Sequence, residues 1–284
     1  KLKETYDIAI SYLHSGHHKS FYGGCNEFVI HKVKADKKIT FLHGDYSKCG
    51  ANHPKTNLLY RKFDVVAACS EGCRQSFISV LPDRAEHCAV VPNCHNFAQM
   101  RKDGLQDTVA YEDGFVHILT VARLTGEKCV ERGIQAVAYA VSKGKKVCYH
   151  IVGDGVERKK LERLVEELSV KDCVFFHGNQ ENPYRFMQNA DLLLITSAHE
   201  AAPLVIDEAM CFHLPVLSTK TSSAEEMILR RGLGWVCDNS QEALTEAIVN
   251  ILDRPERLME QKAIMLHTEC SNKASVAAFV DLVR

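Results

Sequence analysis

The 284-residue sequence predicts an α/β protein built on parallel sheets. Short apolar runs such as Asp191-Leu192-Leu193-Leu194-Ile195 recur along the chain and have the character of fully buried parallel strands. A loop and a stretch of helical periodicity follow each run, and repeated strand–helix units imply parallel sheets with right-handed crossovers. With 46% hydrophobic residues, the chain has material for one large or two medium domains.

Net charge is −1, so no global field points to nucleic acid. Residues 1–93 hold 13 Lys and Arg against 9 Asp and Glu, a balance of +4, and the remainder carries −5. A mildly basic first part suits an anionic or membrane-linked acceptor, although scattered surface lysines give the same balance. Of the twelve cysteines, Cys69, Cys88, Cys129, Cys148, Cys173 and Cys211 mostly lie in or beside apolar runs, as buried free thiols do. No Cys-x2-Cys occurs, which argues against zinc. The absence of a secretory leader or of an apolar run near ~18 residues gives the expectation of a reduced, cytoplasmic, soluble protein.

The first strand is expected at Tyr6–Tyr12. His14, His17 and His18 follow on a glycine-containing loop, and a plain polar loop accounts for them better than a metal site, which needs fixed geometry and usually a carboxylate or thiolate. Lys38–Leu42 reads as a buried strand ending at His43, Gly44, Asp45 and Tyr46. Loops at the carboxyl ends of parallel strands are where ligands bind in open α/β sheets. A lone histidine there is more often structural, and His43 becomes a site candidate, with Asp45 and Tyr46 as weaker acceptor contacts, only through the family resemblance described below. Phe63–Cys69 is a further strand, closed by Ser70 as the N-cap of a helix from Glu71. Cys88–Asn93 ends this half, and residues 94–113, with few periodic apolar positions, read as a linker.

Val116–Ala122 opens the second half as a strand. Its loop carries Arg123 and Lys128, five residues apart, ahead of an apolar helix around Ile134–Val141. Val147–Val152 ends in Gly153-Asp154-Gly155, a turn without the full dinucleotide fingerprint and not at the domain's start, which argues against an NAD enzyme. Val174–His177 leads to Gly178-Asn179-Gln180, and Glu181–Tyr184 starts a short helix. The strand at Asp191–Ile195 then enters Thr196-Ser197-Ala198-His199-Glu200-Ala201-Ala202-Pro203-Leu204. Pro203 is expected in the first helical turn, where its missing N–H costs nothing, and Glu208 falls in the second turn. A helix start offers N–H groups and positive dipole to a phosphate, with Glu200 and Glu208 placed to reach hydroxyls on either side. Leu214–Ser218 and Gly232–Cys237 are late strands, the second with Trp235 as a packing residue. Helical patterns at 242–252, from Glu256 onward, and at 275–283 close the chain.

The Glu200-x7-Glu208 spacing, followed by Ala209-Met210, resembles the signature of the retaining family-four glycosyltransferases, which have the GT-B fold. The resemblance is strongest over residues 114–252 and thinner over 38–93. It implies two Rossmann-like parallel-sheet domains facing a cleft. Residues 1–93 would form the acceptor-side domain and 94–113 the linker. Residues 114–270 would form the nucleotide-sugar domain, and 271–284 a terminal helix packing back on the first domain. The family's opening strand and glycine-rich acceptor loop have no counterpart in this sequence, so the first domain is expected to be incomplete.

The resemblance also implies roles. Arg123 and Lys128 would clamp the donor diphosphate, and the amides around Ala202, Pro203 and Leu204 would meet its phosphates. Glu208 would bind the ribose, Glu200 and His43 the transferred sugar, and the backbone around Gly153 and Asn179 the rest of the nucleotide. Three departures stand out. Cys129, Ala201 and the pair Ser222-Ser223 occupy places where the family often has glycine. The expected activity is retaining, metal-independent sugar transfer from a UDP- or GDP-sugar to a glycan or lipid-linked acceptor, with no cofactor beyond the donor. The expected setting is cell-envelope or surface-polysaccharide synthesis, with peripheral contact at the inner face of the membrane. A non-catalytic nucleotide-sugar-binding protein and a GT-B epimerase or phosphorylase are the alternatives.

Overall fold

Alternating strands and helices fold into two all-parallel sheets. The computed structural model describes residues 4–13 and 24–284, so the His14, His17 and His18 loop lies outside the described residues. The chain divides into two compact units. One comprises residues 1–95, 199–202 and 271–284, and the other residues 96–198 and 203–270.

In the first unit, β1 (Thr5–Ser11), α1 (Gly24–Lys32), β2 (Lys34–Leu42), α2 (Pro54–Tyr60), β3 (Val65–Ala68), α3 (Glu71–Val80) and β4 (Cys88–Val90) follow one another. Their sheet has the order β1-β2-β3-β4. Ser70 caps α3 as expected: its backbone is extended and its hydroxyl accepts from the Cys73 N–H at 3.0 Å, satisfying one of the helix's orphan donors. Tyr46, one of the weaker candidates, is turned into the core. It is fully buried against Tyr60 and Phe77 in edge-on ring contacts, and its hydroxyl donates to Asn57 Oδ1 at 2.6 Å. Burial of so large a ring outweighs the solvation it would have at the strand end. Asp45 is likewise turned inward, accepting from the hydroxyls of Ser47 and Ser76.

The second unit opens with α4 (Phe97–Gly104), inside the segment expected to be a linker. Its apolar face is short, but Phe97, Met100 and Gly104 are all buried. Next come β5 (Val116–Val121), α5 (Val130–Ser142), β6 (Val147–Val152), α6 (Arg158–Glu167), β7 (Val174–Gly178) and α7 (Tyr184–Met187). They are followed by β8 (Leu192–Ile195), α8 (Leu204–Cys211), β9 (Val216–Thr219), β10 (Gly234–Cys237), α9 (Gln241–Leu252) and α10 (Glu256–Met265). Helix α5 buries Val130, Ile134, Val137 and Ala140 on one stripe, and each large aliphatic so removed from water contributes about 1.5–3 kcal/mol. Trp235 packs against the same core, with the Arg257 guanidinium over its ring at 5.6 Å.

The sheet order β10-β9-β8-β5-β6-β7 places β5 between β6 and β8, so the direction in which the chain crosses over reverses between β5 and β8. In open α/β sheets that reversal opens a crevice at the carboxyl ends of the two strands. The terminal helix α11 (Lys273–Val283) belongs to the first unit, where Leu282 packs with Ile39, Phe41, Ala67 and Val91 and its carbonyl accepts from Lys37 at 2.7 Å.

Candidate functional site

The reversal point of the second sheet is lined by two loops, Ala122–Cys129 after β5 and Thr196–Ala198 after β8. They are sewn together. Thr196 Oγ1 donates to the Lys128 carbonyl at 2.7 Å, and the Ala198 N–H donates to the Glu127 carbonyl at 2.9 Å. Asn239, just after β10, donates to the carbonyls of Ser197, Ala198 and Lys220, and its own Oδ1 accepts from Arg132 at 2.6 Å. Thr219 Oγ1 adds a further bond to the Ser197 carbonyl at 2.7 Å. The carboxyl ends of β5, β8, β9 and β10 are therefore one hydrogen-bonded rim.

Arg123 and Lys128 sit on this rim. The Arg123 side chain is 79% exposed and only loosely paired with Glu127, at 3.9 Å. Burial acts to raise the Glu127 carboxyl, but the Thr125 hydroxyl, its own backbone N–H and the two cations outweigh it and keep the group below the usual range. The turn closes through Cys129, whose φ of 48° and ψ of 40° are left-handed. That is the conformation glycine takes freely, so cysteine is accommodated here at a cost of order 1–3 kcal/mol.

Gly153 packs directly behind this loop. Its φ is +131°, and a Cβ there would lie 1.9 Å from the Ala122 carbonyl oxygen. The glycine allows the loops after β5 and β6 to meet, and its N–H donates to the Gly178 carbonyl at 2.7 Å. Asn179 is exposed on the loop after β7.

Helix α8 begins at Leu204, one residue later than expected. Pro203 precedes it with ψ of 118°, extended and not helical, so it stands at the N-cap and supplies no capping side chain. The first amides of α8 lie at the positive end of the helix dipole, and Pro203 itself does not cap them. Leu204 is 49% exposed. Asp207 is drawn aside by Arg231 at 2.8 Å. Glu208 lies in the second turn as expected, and its charge adds to burial in raising the Tyr184 phenol.

The remaining expected site residues belong to the first unit. His43 directly follows β2. Its Nε2 lies 3.0 Å from the Tyr12 carbonyl, so that nitrogen carries the proton, and its ring stacks on Phe41 at 5.9 Å. Burial lowers its pKa, with the Tyr12 carbonyl opposing. Glu200 and Ala202 lie in the segment 199–202, half-buried. Ala201 beside them is core: it packs with Tyr46, Cys73 and Phe77, and its carbonyl accepts from Ser70 Oγ at 2.6 Å. The methyl group that distinguishes it from glycine is therefore used in packing. Ser223 is fully buried, with a hydroxyl that has no hydrogen-bond partner among the described residues. Among those residues no cluster of His, Cys, Asp and Glu could hold a metal ion, and no helix is long and apolar enough to cross a membrane.

Thr196, Asn239 and Arg132 carry no signal in the sequence. A lone Asn between Asp238 and Ser240 reads as an ordinary turn, and only the order of strands shows that three carbonyls converge on it.

A sequence model of the family described as Glycosyl transferases group 1 matches residues 106–264. The chain is similar to the lipopolysaccharide core biosynthesis glycosyltransferase LpsD of Rhizobium meliloti, 30% identical over 155 residues, 53% of this chain and 45% of that one. It is also similar to the N-acetyl-alpha-D-glucosaminyl L-malate synthase of Bacillus anthracis, 28% identical over 218 residues, 71% of this chain and 54% of that one. The chain spans about half the length of these relatives. Among solved structures, HepE of Anabaena in complex with UDP superposes with a TM-score of 0.69 at 20% identity, over 87% of this chain and 72% of that one, a likeness of fold.

Proposed function

The chain belongs to the glycosyl transferases group 1 family, and from that premise we propose that it moves a sugar from a UDP- or GDP-sugar to a glycan or lipid-linked acceptor, with retention and without a metal ion. The observation that carries the reading is the rim at the β5–β8 reversal. There Arg123 and Lys128 stand on a loop held to β8 by Thr196 and Ala198. A departing nucleoside diphosphate gains negative charge as its bond to the sugar breaks, so cations fixed beforehand stabilise it most at that moment. Arg123 suits forked contact with phosphate oxygens and can exchange its loose pairing with Glu127 for them; Lys128 acts as a point charge. The amides flanking Pro203, those of Ala202 and Leu204, and the start of α8 are assigned to the same phosphates.

Glu208 is assigned to the ribose hydroxyls, Gly153 and Asn179 to the nucleotide, and Glu200 and His43 to the transferred sugar. No carboxylate is assigned as nucleophile. The acceptor oxygen attacks on the face from which the diphosphate leaves, and a diphosphate oxygen takes the acceptor's proton. The two cations and the helix start do the work a divalent metal would otherwise do, and no cofactor is needed beyond the donor. LpsD is named for lipopolysaccharide core synthesis, and an envelope glycan or lipid-linked acceptor, met from the cytoplasmic side of a membrane surface, is the acceptor class we favour. The +4 balance of residues 1–93 suits such a surface.

The experiment is a panel of nucleotide sugars, read by nucleoside diphosphate release and by the anomeric proton of the product, with chelator present throughout. Release from a UDP- or GDP-sugar with an α-linked product from an α-donor is expected. Release that needs added divalent metal, or inversion at the anomeric carbon, would overturn the mechanism. Binding without release from any donor would leave a nucleotide-sugar-binding protein.

A further inference from the structure

Three adjacent strands, β5, β6 and β7, bring one histidine each into a single line. His117 and His150 are 5% and 6% exposed, and His177 is half-buried near the end of β7. Nε2 of His117 lies 2.8 Å from the Glu112 carbonyl, and its Nδ1 lies 3.0 Å from Nε2 of His150. Nδ1 of His150 lies 3.1 Å from Nε2 of His177. A carbonyl only accepts, so His117 carries its proton on Nε2. In a neutral ring Nδ1 must then accept, which puts the His150 proton on Nε2, and the same step makes His177 an Nε2–H donor. One backbone carbonyl thereby sets three tautomers, and Nδ1 of His177 is the one ring nitrogen not used within the line.

The surroundings favour the neutral form. Tyr111 covers His117 and His150 with ring centroids at 4.6 and 4.5 Å, Phe175 flanks His150 at 5.3 Å, and Phe186 packs on His177 at 4.6 Å. Burial, then the two flanking imidazoles, push His150 down to about 3. Burial, then Arg185 on α7 and Arg158 on α6, lower His177. Near the other end, the Asp191 carboxylate accepts from the backbone N–H of His117 at 2.7 Å, not from its ring. The line also meets the loop after β7, since the His177 carbonyl accepts from Gln180 Nε2 at 2.6 Å and the Gly178 carbonyl from the Gly153 N–H at 2.7 Å.

We propose that His117, His150 and His177 form one neutral relay that positions the loop Gly178–Asn182 for the donor nucleotide, and that uptake of a proton at Nδ1 of His177 releases it. The proposal rests on the reading that this loop takes part in nucleotide binding. An added proton makes His177 a double donor. Passing Nε2–H protons along the line moves the charge to His150 and then His117, and no other bond is made or broken. A cation in the line faces Arg158 and Arg185 at one end and the Tyr111 ring and Asp191 at the other, so the neutral packing that holds the end of β7 against α7 is lost. His150, His117 and His177 are positioning residues in this scheme and touch no reacting atom.

Two variants separate the relay from mere packing. The amide of His150→Gln can donate to His117 and accept from His177 without titrating, whereas His150→Leu can do neither. Nitrogen-15 spectra of histidine-labelled protein at pH 7.5 should show three neutral Nε2–H tautomers. Hydrogen exchange of the 178–182 amides should be at least fivefold faster in His150→Leu and near wild type in His150→Gln. UDP affinity should fall at least fivefold in His150→Leu. Between pH 7.5 and 5.5 it should fall more in wild type than in His150→Gln, a comparison that cancels the titration of UDP itself. A different tautomer pattern, or wild-type exchange in a folded His150→Leu protein, would overturn the relay. If neither UDP nor GDP binds wild type, the donor reading fails, and the spectra and exchange rates still decide the relay.

Discussion

Thr196 donates a 2.7 Å hydrogen bond to the carbonyl of Lys128, joining the end of β8 to the cation-bearing loop of β5 across the point where the sheet changes direction. Thr196 is buried, and the bond to the half-buried Lys128 is partly shielded from water. The backbone bond from Ala198 to Glu127 lies close by on the same two loops. The position of Lys128 therefore depends on a threonine 68 residues away, which couples site geometry to the packing of the sheet.

Thr196→Val keeps the shape of the side chain and removes the donor. Loss of a partly buried hydrogen bond costs about 0.5–1.5 kcal/mol, and the expected result is a lower urea midpoint with an unchanged slope. Because the Lys128 loop loses a tie to β8, UDP affinity by calorimetry should fall as well. A variant as stable as wild type that binds UDP normally would show that the Ala198 bond suffices to place the loop.

Arg123→Ala should behave in the opposite way. The side chain is mostly in water and its pairing with Glu127 is long, and such surface pairs contribute about 0–1 kcal/mol. Stability should therefore stay within about 0.5 kcal/mol of wild type, while UDP affinity and turnover drop at least tenfold. Lys128→Ala should lower both binding and turnover in the same sense. If melting temperature and activity fall together for Arg123→Ala, the residue is holding the loop and not the diphosphate.

The features legible in the sequence are those with local causes. The apolar runs that become β5, β6 and β8 are readable because a strand buried on both faces has a continuous pattern, and Ser70 is readable because a cap needs only its own helix. Helix α4 is hidden because its buried face is three residues long and gains its meaning only from what packs on it. Tyr46 reads as a candidate contact just after a strand, and it turns inward because Tyr60 and Phe77 arrive from elements further along. His150 is one polar letter in Val147-Cys148-Tyr149-His150-Ile151-Val152. Its partners become visible only when the registers of β5–β6 and β6–β7 are known.

Gly153→Ala tests whether that glycine serves packing or ligand. The added carbon would lie far inside van der Waals contact with the Ala122 carbonyl oxygen, at 1.9 Å, on a residue with φ of +131°. Backbone must move on both β5 and β6 loops, at an expected cost of about 2–4 kcal/mol, measured by urea unfolding. A stable variant with weakened UDP binding would assign the glycine to the nucleotide instead.

Acid should destabilise the protein through its buried histidines. His150 has a folded pKa of about 3 against 6.5 for the free side chain, so below pH 6.5 the unfolded chain takes up a proton that the folded chain refuses. Stability is complete above pH 6.5 and declines as pH falls toward 3, with a slope near 1.4 kcal/mol per pH unit for one such proton. His177 and His43 are lowered by burial and add with the same sign. Urea midpoints at pH 7.5, 6.5 and 5.5 measure the slope, and His150→Gln should flatten it. Stability that is level over this range would mean that the folded chain, with the loop after β7 in place, takes up protons as readily as the unfolded chain.

The two glutamates of the Glu-x7-Glu spacing should separate into different roles. Glu208 lies in the second turn of α8, close enough to Tyr184 for its charge to raise that phenol. A carboxylate fixed on a helix suits the ribose, which is unchanged by the reaction, so Glu208→Gln should weaken donor and free UDP alike. Loss of a charged hydrogen bond of that kind costs about 1–3 kcal/mol. Glu200 lies in the loop before α8, in the segment 199–202, and is assigned to the sugar, which gains positive charge only as the bond breaks. An interaction felt mainly in the transition state appears in turnover and not in affinity. Glu200→Gln should therefore bind free UDP within about twofold of wild type while turnover at saturating donor falls at least tenfold. Calorimetric titration of both variants beside turnover distinguishes the roles. If Glu200→Gln loses UDP binding and Glu208→Gln keeps it, the two roles are exchanged, with Glu200 at the ribose and Glu208 at the sugar.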